Sequence, residues 1–205
     1  MPVTAVVFDI GNVLITWDVR ALYRTVFEDH DEMERFLAEV WTPMENDRCD
    51  RGASFADVIA DNVARHPRYE AEIRMAWDRW IETIPGPVEG TLELVAELAD
   101  AGVHLTALSN FSAETFPLVR ERYPHFDLFD DLVISGEHPP LAKPDPAIFQ
   151  LLCERNDLDP LTTVFIDDAA PNVEAADALG FVSITFVDAA SLRRELVALG
   201  LPVRS

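Results

Sequence analysis

The stretch Val3-Thr4-Ala5-Val6-Val7-Phe8-Asp9-Ile10-Gly11-Asn12 decides the fold. A short apolar, β-branched run ends in an aspartate and, two residues on, a glycine. A run apolar on both faces is the pattern of a buried parallel strand. An acidic residue just past such a strand stands at its carboxyl end, where open α/β sheets bind their ligands. Working outward, similar runs recur at Val103 to Leu108, Leu132 to Ile134, Thr163 to Ile166 and Val182 to Phe186. Amphipathic helical stretches lie between them, at Val88 to Ala101, Ala113 to Arg122, Pro146 to Arg155, Val173 to Leu179 and Ser191 to Leu199. Strand alternating with helix predicts an α/β fold with a doubly wound, Rossmann-like parallel sheet. Gly102 and Gly180 each follow a helix and precede a strand, as helix-ending glycines do.

The alternation breaks once. From Asp18 to Ile84 the periodicity is helical, with helices expected at Val19 to Glu28, Met33 to Val40, Phe55 to Arg65 and Tyr69 to Glu82. Trp41 to Gly52 reads as a loop between two of them. Pro85-Gly86-Pro87 closes the segment as a stiff joint. The expected organisation is a core of residues 1–17 and 85–205, with residues 18–84 inserted as a small helical bundle.

Composition narrows the function. The chain has 205 residues, with 16 Lys and Arg against 37 Asp and Glu, a formal charge of −21 at pH 7. So acidic a surface repels nucleic-acid backbones and anionic membranes, and neither is an expected partner. An anionic ligand needs a local cluster of donors. Cys49 and Cys153 stand far apart and form no disulfide framework. No apolar run approaches a membrane span. The first residues are apolar but lack a basic residue and carry Asp9, unlike a signal peptide. A soluble, cytoplasmic protein is expected.

The chemistry is sought at the strand ends. After the first strand comes Asp9-Ile10-Gly11-Asn12, after the second Ser109-Asn110, past the third Lys143-Pro144, and after the fourth Asp167-Asp168 with Asn172 beyond. Each motif alone is common turn or cap chemistry. Their joint placement, each after its own strand, points them at one crevice. Asp9 and Asp168, with a backbone carbonyl near Gly11 and waters, would make an all-oxygen site suited to Mg²⁺. Lys143, Ser109 and Asn110 would then bind an anionic group. Lys143 is the only lysine among the 16 basic residues. A compact ammonium meets a phosphate as a point charge where a guanidinium fork would not fit.

These four motifs, in this order, resemble the haloacid dehalogenase-like hydrolase superfamily over nearly the whole chain. The resemblance rests on Phe8 to Leu14, Leu108-Ser109-Asn110, Lys143-Pro144-Asp145, and Phe165 to Asp168 with Asn172. The segment from Asp18 to Ile84 looks like that family's helical cap, and the form Asp9-Ile10-Gly11-Asn12-Val13 like small bacterial sugar-phosphate phosphatases. The resemblance implies an aspartyl-phosphate on Asp9. It implies Mg²⁺ held by Asp9, Asp168 and the Gly11 carbonyl, and Asp167 as a further ligand or an acceptor behind them. Ser109 and Lys143 would hold the phosphoryl oxygens, helped by Asn110. The substrate would be a small phosphorylated metabolite, selected by cap residues such as those of Trp41 to Gly52. One departure stands out: most phosphatases of the superfamily place a second aspartate, the general acid, where this chain has Gly11. A water or a cap residue could substitute for it. The rival chemistry is metal-free halide displacement from a 2-haloacid. The Asp167-Asp168 pair argues against it, since crowded carboxylates call for a cation. A non-catalytic phosphate-binding protein is a further alternative.

Overall fold

A computed structural model describes residues 2–204. Five strands form one parallel sheet: β1 (Ala5–Phe8), β2 (His104–Ser109), β3 (Asp131–Ile134), β4 (Thr163–Asp167) and β5 (Val182–Thr185), in spatial order β3-β2-β1-β4-β5. The order reverses at β1, so the carboxyl ends of β1, β2 and β4 lie side by side at the switch point, where α/β sheets bind ligands.

Alternate residues of β1 serve opposite faces of the sheet. Val6 and Phe8 pack into one buried cluster, Val7 into another. The helices that cover these faces are α6 (Thr91–Asp100) and α10 (Ala189–Ala198) on one side, and α8 (Pro146–Asn156) and α9 (Ala170–Ala178) on the other. With both faces covered, the apolar character of the strands is accounted for. α7 (Phe116–Arg122) follows β2.

Between β1 and α6 the described residues form no strand beyond isolated bridges of Ile15 to Gly11 and Pro87; the helices are α1 (Val19–Tyr23), α2 (His30–Glu39), α3 (Pro43–Asp50), α4 (Phe55–Arg65) and α5 (Glu70–Asp78), with short 3₁₀ turns at Pro67–Tyr69 and Trp80–Thr83. Tyr23, Phe36 and Tyr69 fill the centre of this bundle. Entry and exit run together as a neck. Thr16 N–H donates to the Gly86 carbonyl at 2.9 Å, Asp18 N–H to Thr83 at 2.8 Å, and Val88 N–H to Leu14 at 3.0 Å.

Three expected elements differ. The first helix of the inserted segment stops at Tyr23, five residues short of Glu28, because Thr25 turns its hydroxyl back on the Leu22 carbonyl at 2.7 Å and Asp29 already caps α2. The expected single helix of Tyr69 to Glu82 splits into α5 and a 3₁₀ turn. The expected loop of Trp41 to Gly52 contains α3, a true helix. Thr42 and Glu45 cap it reciprocally, with Pro43 in its first turn. No helix of the described residues is long and apolar enough to cross a membrane.

Candidate active site

The strand-end residues converge. Asp9, one residue past β1, is buried, and its Oδ1 accepts from the Ile10 N–H at 2.7 Å and the Ser109 hydroxyl at 2.7 Å. Lys143 Nζ lies 2.9 Å from the same oxygen and donates to Asp167 Oδ2 at 2.5 Å. The ammonium therefore bridges the ends of β1 and β4.

Two devices hold the lysine there. Asn110 grips its backbone from both sides: Lys143 N–H donates to Asn110 Oδ1 at 2.7 Å, and Asn110 Nδ2 donates to the Lys143 carbonyl at 2.9 Å. Asp167 in turn is held by Asn172, whose Nδ2 reaches both carboxylate oxygens, at 3.0 and 3.1 Å, and by the Ala169 N–H at 2.8 Å. The Lys143–Pro144 bond is cis.

One carboxylate oxygen from each of Asp9, Asp167 and Asp168 lies within 4.8 Å of the other two. Three carboxylates around one ammonium leave two negative charges uncompensated. Burial pushes the Asp9 carboxyl up to about 6, and the Asp167 charge adds to this against the pull of Lys143. Burial and the Asp167 charge likewise raise Asp168. For Lys143, burial works to lower the ammonium, but the charges of Asp9 and Asp167 outweigh it and hold it above the ordinary lysine range. An all-oxygen donor set with this excess charge fits a hard divalent cation. The oxygens differ in what they can offer. Both Asp167 oxygens are occupied by protein donors. Asp9 Oδ2 accepts no hydrogen bond among the described residues, and Asp168 is exposed. Asp9 and Asp168 are thus the carboxylates with oxygens to give a cation, and Asp167 serves to hold Lys143.

Above the cluster, a cavity of about 160 Å³ lies between the sheet and the helical segment that follows β1. Gly11, Asn110 and Phe111 line it from the core, and Trp17, Asp50 and Trp80 from the neck and the helical segment. Of the strand-end residues, Asp9, Ser109, Lys143 and Asp167 form one contact set. Asn110 grips the lysine backbone and lines the cavity. Asp50 stands among the cap residues considered from sequence, but its place at the cavity depends on α3, which was not expected. Trp80 and Phe111 carried no sequence signal beyond Phe111 following Ser109-Asn110.

A family model for haloacid dehalogenase-like hydrolases matches residues 3–180. The sesquiterpene phosphatase astK of Aspergillus oryzae is 27% identical over 94% of this chain and 94% of its own length. A haloacid dehalogenase family enzyme of Bacteroides thetaiotaomicron, solved with magnesium and inorganic phosphate, superposes with a TM-score of 0.68 at 22% identity, over 91% of this chain and 95% of that one. The L-2-haloacid dehalogenase of Xanthobacter autotrophicus superposes with a TM-score of 0.63 at 20% identity, over 98% of this chain and 85% of that one. At these identities the two structures speak for the fold alone.

Proposed function

The chain belongs to the haloacid dehalogenase-like hydrolases, and we propose that it is a Mg²⁺-dependent phosphatase acting on a small phosphorylated metabolite through an aspartyl-phosphate on Asp9. The observation that carries this is the carboxylate cluster around a single buried ammonium. Displacement of halide at carbon has no use for such an excess of negative charge, whereas a cation-assisted phosphoryl transfer does. The sesquiterpene phosphatase astK, similar over nearly its whole length, supports the same choice.

In this reading residues 18–84 are a cap over the core. The Asp9 carboxylate attacks phosphorus, oriented by the Ile10 N–H and Ser109 hydroxyl on Oδ1. Lys143 offsets the repulsion between that carboxylate and the incoming anion, and with Ser109 it binds phosphoryl oxygens. Asp167, held by Asn172, fixes the lysine side chain, and Asn110 fixes its backbone while facing the substrate cavity. Asp9, Asp168 and the Gly11 carbonyl would hold Mg²⁺, with Asp167 beside them. Mg²⁺ bound there supplies charge neutralisation for the phosphoryl group. The organic part of the substrate fits the aromatic walls of Trp17, Trp80 and Phe111.

The test is phosphate release from a panel of phosphorylated metabolites, before and after EDTA, beside halide release from 2-chloropropionate. Phosphate release lost in EDTA and restored by Mg²⁺ is expected. Halide release without metal, and no phosphate from any ester, would overturn the assignment.

A further inference from the structure

Breaking the ester bond of an ordinary phosphomonoester leaves an oxyanion that needs a proton. The groups around Asp9 are poorly placed to give one. Asp9 is the nucleophile, Lys143 is clamped between two carboxylates, and both oxygens of Asp167 are taken. Asp168 is wanted as a carboxylate. At Gly11, where a side chain could have reached the reacting atoms, a Cβ would meet nothing within 4 Å. That open space belongs to the cavity that Asp50 also lines.

We propose that Asp50, the last residue of cap helix α3, is the proton donor to the leaving oxygen, acting across the cavity in place of a side chain at Gly11. The assignment rests on the phosphatase reading above. Its geometry is set by two anchors between cap and core. Ser135, buried just past β3, donates its hydroxyl to the Asp50 carbonyl at 2.5 Å. Two residues on, Gly52 has φ +94°, and a Cβ there would lie 2.7 Å from Pro139 Cβ, so the chain after α3 sits directly on the core. The Asp50 carboxyl is itself oriented, with Asn46 Nδ2 donating to Oδ2 at 2.9 Å. Burial pushes this carboxyl up to about 7. Asp47 on its own helix and Asp9 from the core add to the rise, while the Ser112 N–H from the core and Arg51 oppose it. A carboxylic acid that keeps its proton near neutrality is what the step requires.

The protons and bonds balance. An Asp9 oxygen forms a bond to phosphorus as the ester P–O bond breaks. The electron pair of that bond goes to the leaving oxygen, which takes the Asp50 proton and departs as an alcohol. Water then attacks phosphorus and gives a proton back to the Asp50 carboxylate, and the Asp9 carboxylate is released with free phosphate.

Two probes of similar size separate this role from a structural one. p-Nitrophenyl phosphate loses a weakly basic phenolate that needs no proton; phenyl phosphate loses a more basic one that does. kcat/KM reports steps up to departure of that group. Asp50→Asn, with folding checked by circular dichroism and melting, is expected to lower kcat/KM on phenyl phosphate by about 10²-fold or more. On p-nitrophenyl phosphate the loss should be less than about tenfold. Asp50→Glu, which keeps the acid, should recover part of the phenyl phosphate activity. Equal losses on both probes, no loss on either, or a Glu variant no better than Asn would overturn the assignment. If the parent turns over neither aryl ester, the same comparison is made on panel esters that differ in leaving-group basicity; a parent that releases phosphate from no ester at all would instead remove the phosphatase reading, and this assignment with it. If Asp50→Asn fails to fold, the Glu variant carries the test: a selective loss on phenyl phosphate supports the donor role and an unselective loss refutes it.

Discussion

The crevice and the outer surface of the cap handle charge in opposite ways. At the strand ends the Lys143 side chain is 1% exposed and lies between Asp9 and Asp167. Across the cap, Arg20–Glu34, Arg48–Asp61, Arg51–Asp47 and Arg74–Glu70 pair at similar distances, but every side chain involved is a third or more exposed. Exposed pairs contribute roughly 0–1 kcal/mol each. Buried charges are costly to desolvate, and a buried ion pair is often no better for stability than a well-packed apolar pair. The crevice thus keeps an arrangement that stability alone does not favour, which is what a site selected for chemistry would do.

The largest expected effect is at Asp9. Asp9→Asn changes shape little yet removes the proposed nucleophile, and turnover should fall by on the order of 10⁴–10⁶-fold in a phosphate-release assay with the fold intact. Activity near that of the parent would show that the crevice charges are only structural. Next comes Lys143. Lys143→Arg keeps the charge but brings a forked, bulkier head into a fully buried slot, and kcat should fall by roughly 10²-fold or more. Lys143→Ala leaves buried carboxylates uncompensated and should also destabilise by about 3–5 kcal/mol, measured by denaturant unfolding. If both variants turn over substrate like the parent, Lys143 does not contact the phosphoryl group.

Between the two extremes lies Arg193–Glu97, joining α10 to α6 with side chains 27% and 14% exposed. The Arg193 hydrogen bond, with the Arg204 N–H, holds the Glu97 carboxyl down at about 2. A depressed folded value means stability that is complete above the ordinary carboxylate range and lost as pH falls through about 2. Glu97→Gln should therefore lower Tm by about 2–4 °C at neutral pH, with the gap closing on acidification. A gap independent of pH would mean the pair acts through packing, not charge. The smallest effect belongs to the exposed pairs: Arg48→Ala should change stability by no more than about 0.5 kcal/mol by denaturant titration.

The same contrast explains what could be read from the sequence. The sheet was legible because each strand is an apolar run buried on both faces. The crevice was legible because its charged residues follow those runs directly, and because Lys143 is the sole lysine. The cap resisted. α3 reads Pro-Met-Glu-Asn-Asp-Arg-Cys-Asp and has almost no apolar face; Glu45 and Cys49 are its buried residues. It is held by its cap and by the Glu45–Arg65 pair at 2.9 Å rather than by a hydrophobic stripe. Thr42 followed by Pro43 and Glu45 was the available signal, the pattern of a capping box. The position of Asp50 carries no local signal, because it depends on α3 docking against Ser135, 85 residues away. The grip of Asn110 on Lys143, across 33 residues, is equally a product of the fold.

The covalent role of Asp9 is tested most directly by oxygen exchange into phosphate. If the Asp9 carboxylate attacks phosphorus, free phosphate can react backward with it, expelling water and forming the aspartyl-phosphate. Incubating ¹⁸O-labelled inorganic phosphate with the enzyme and Mg²⁺ in ordinary water should then wash label out of the phosphate. Mass spectrometry should find no label in the peptide containing Asp9, because water re-enters at phosphorus, and Asp9→Asn should abolish the exchange. An enzyme that releases phosphate from esters yet catalyses no exchange, or that carries label into the Asp9 carboxylate, would contradict attack by Asp9 on phosphorus.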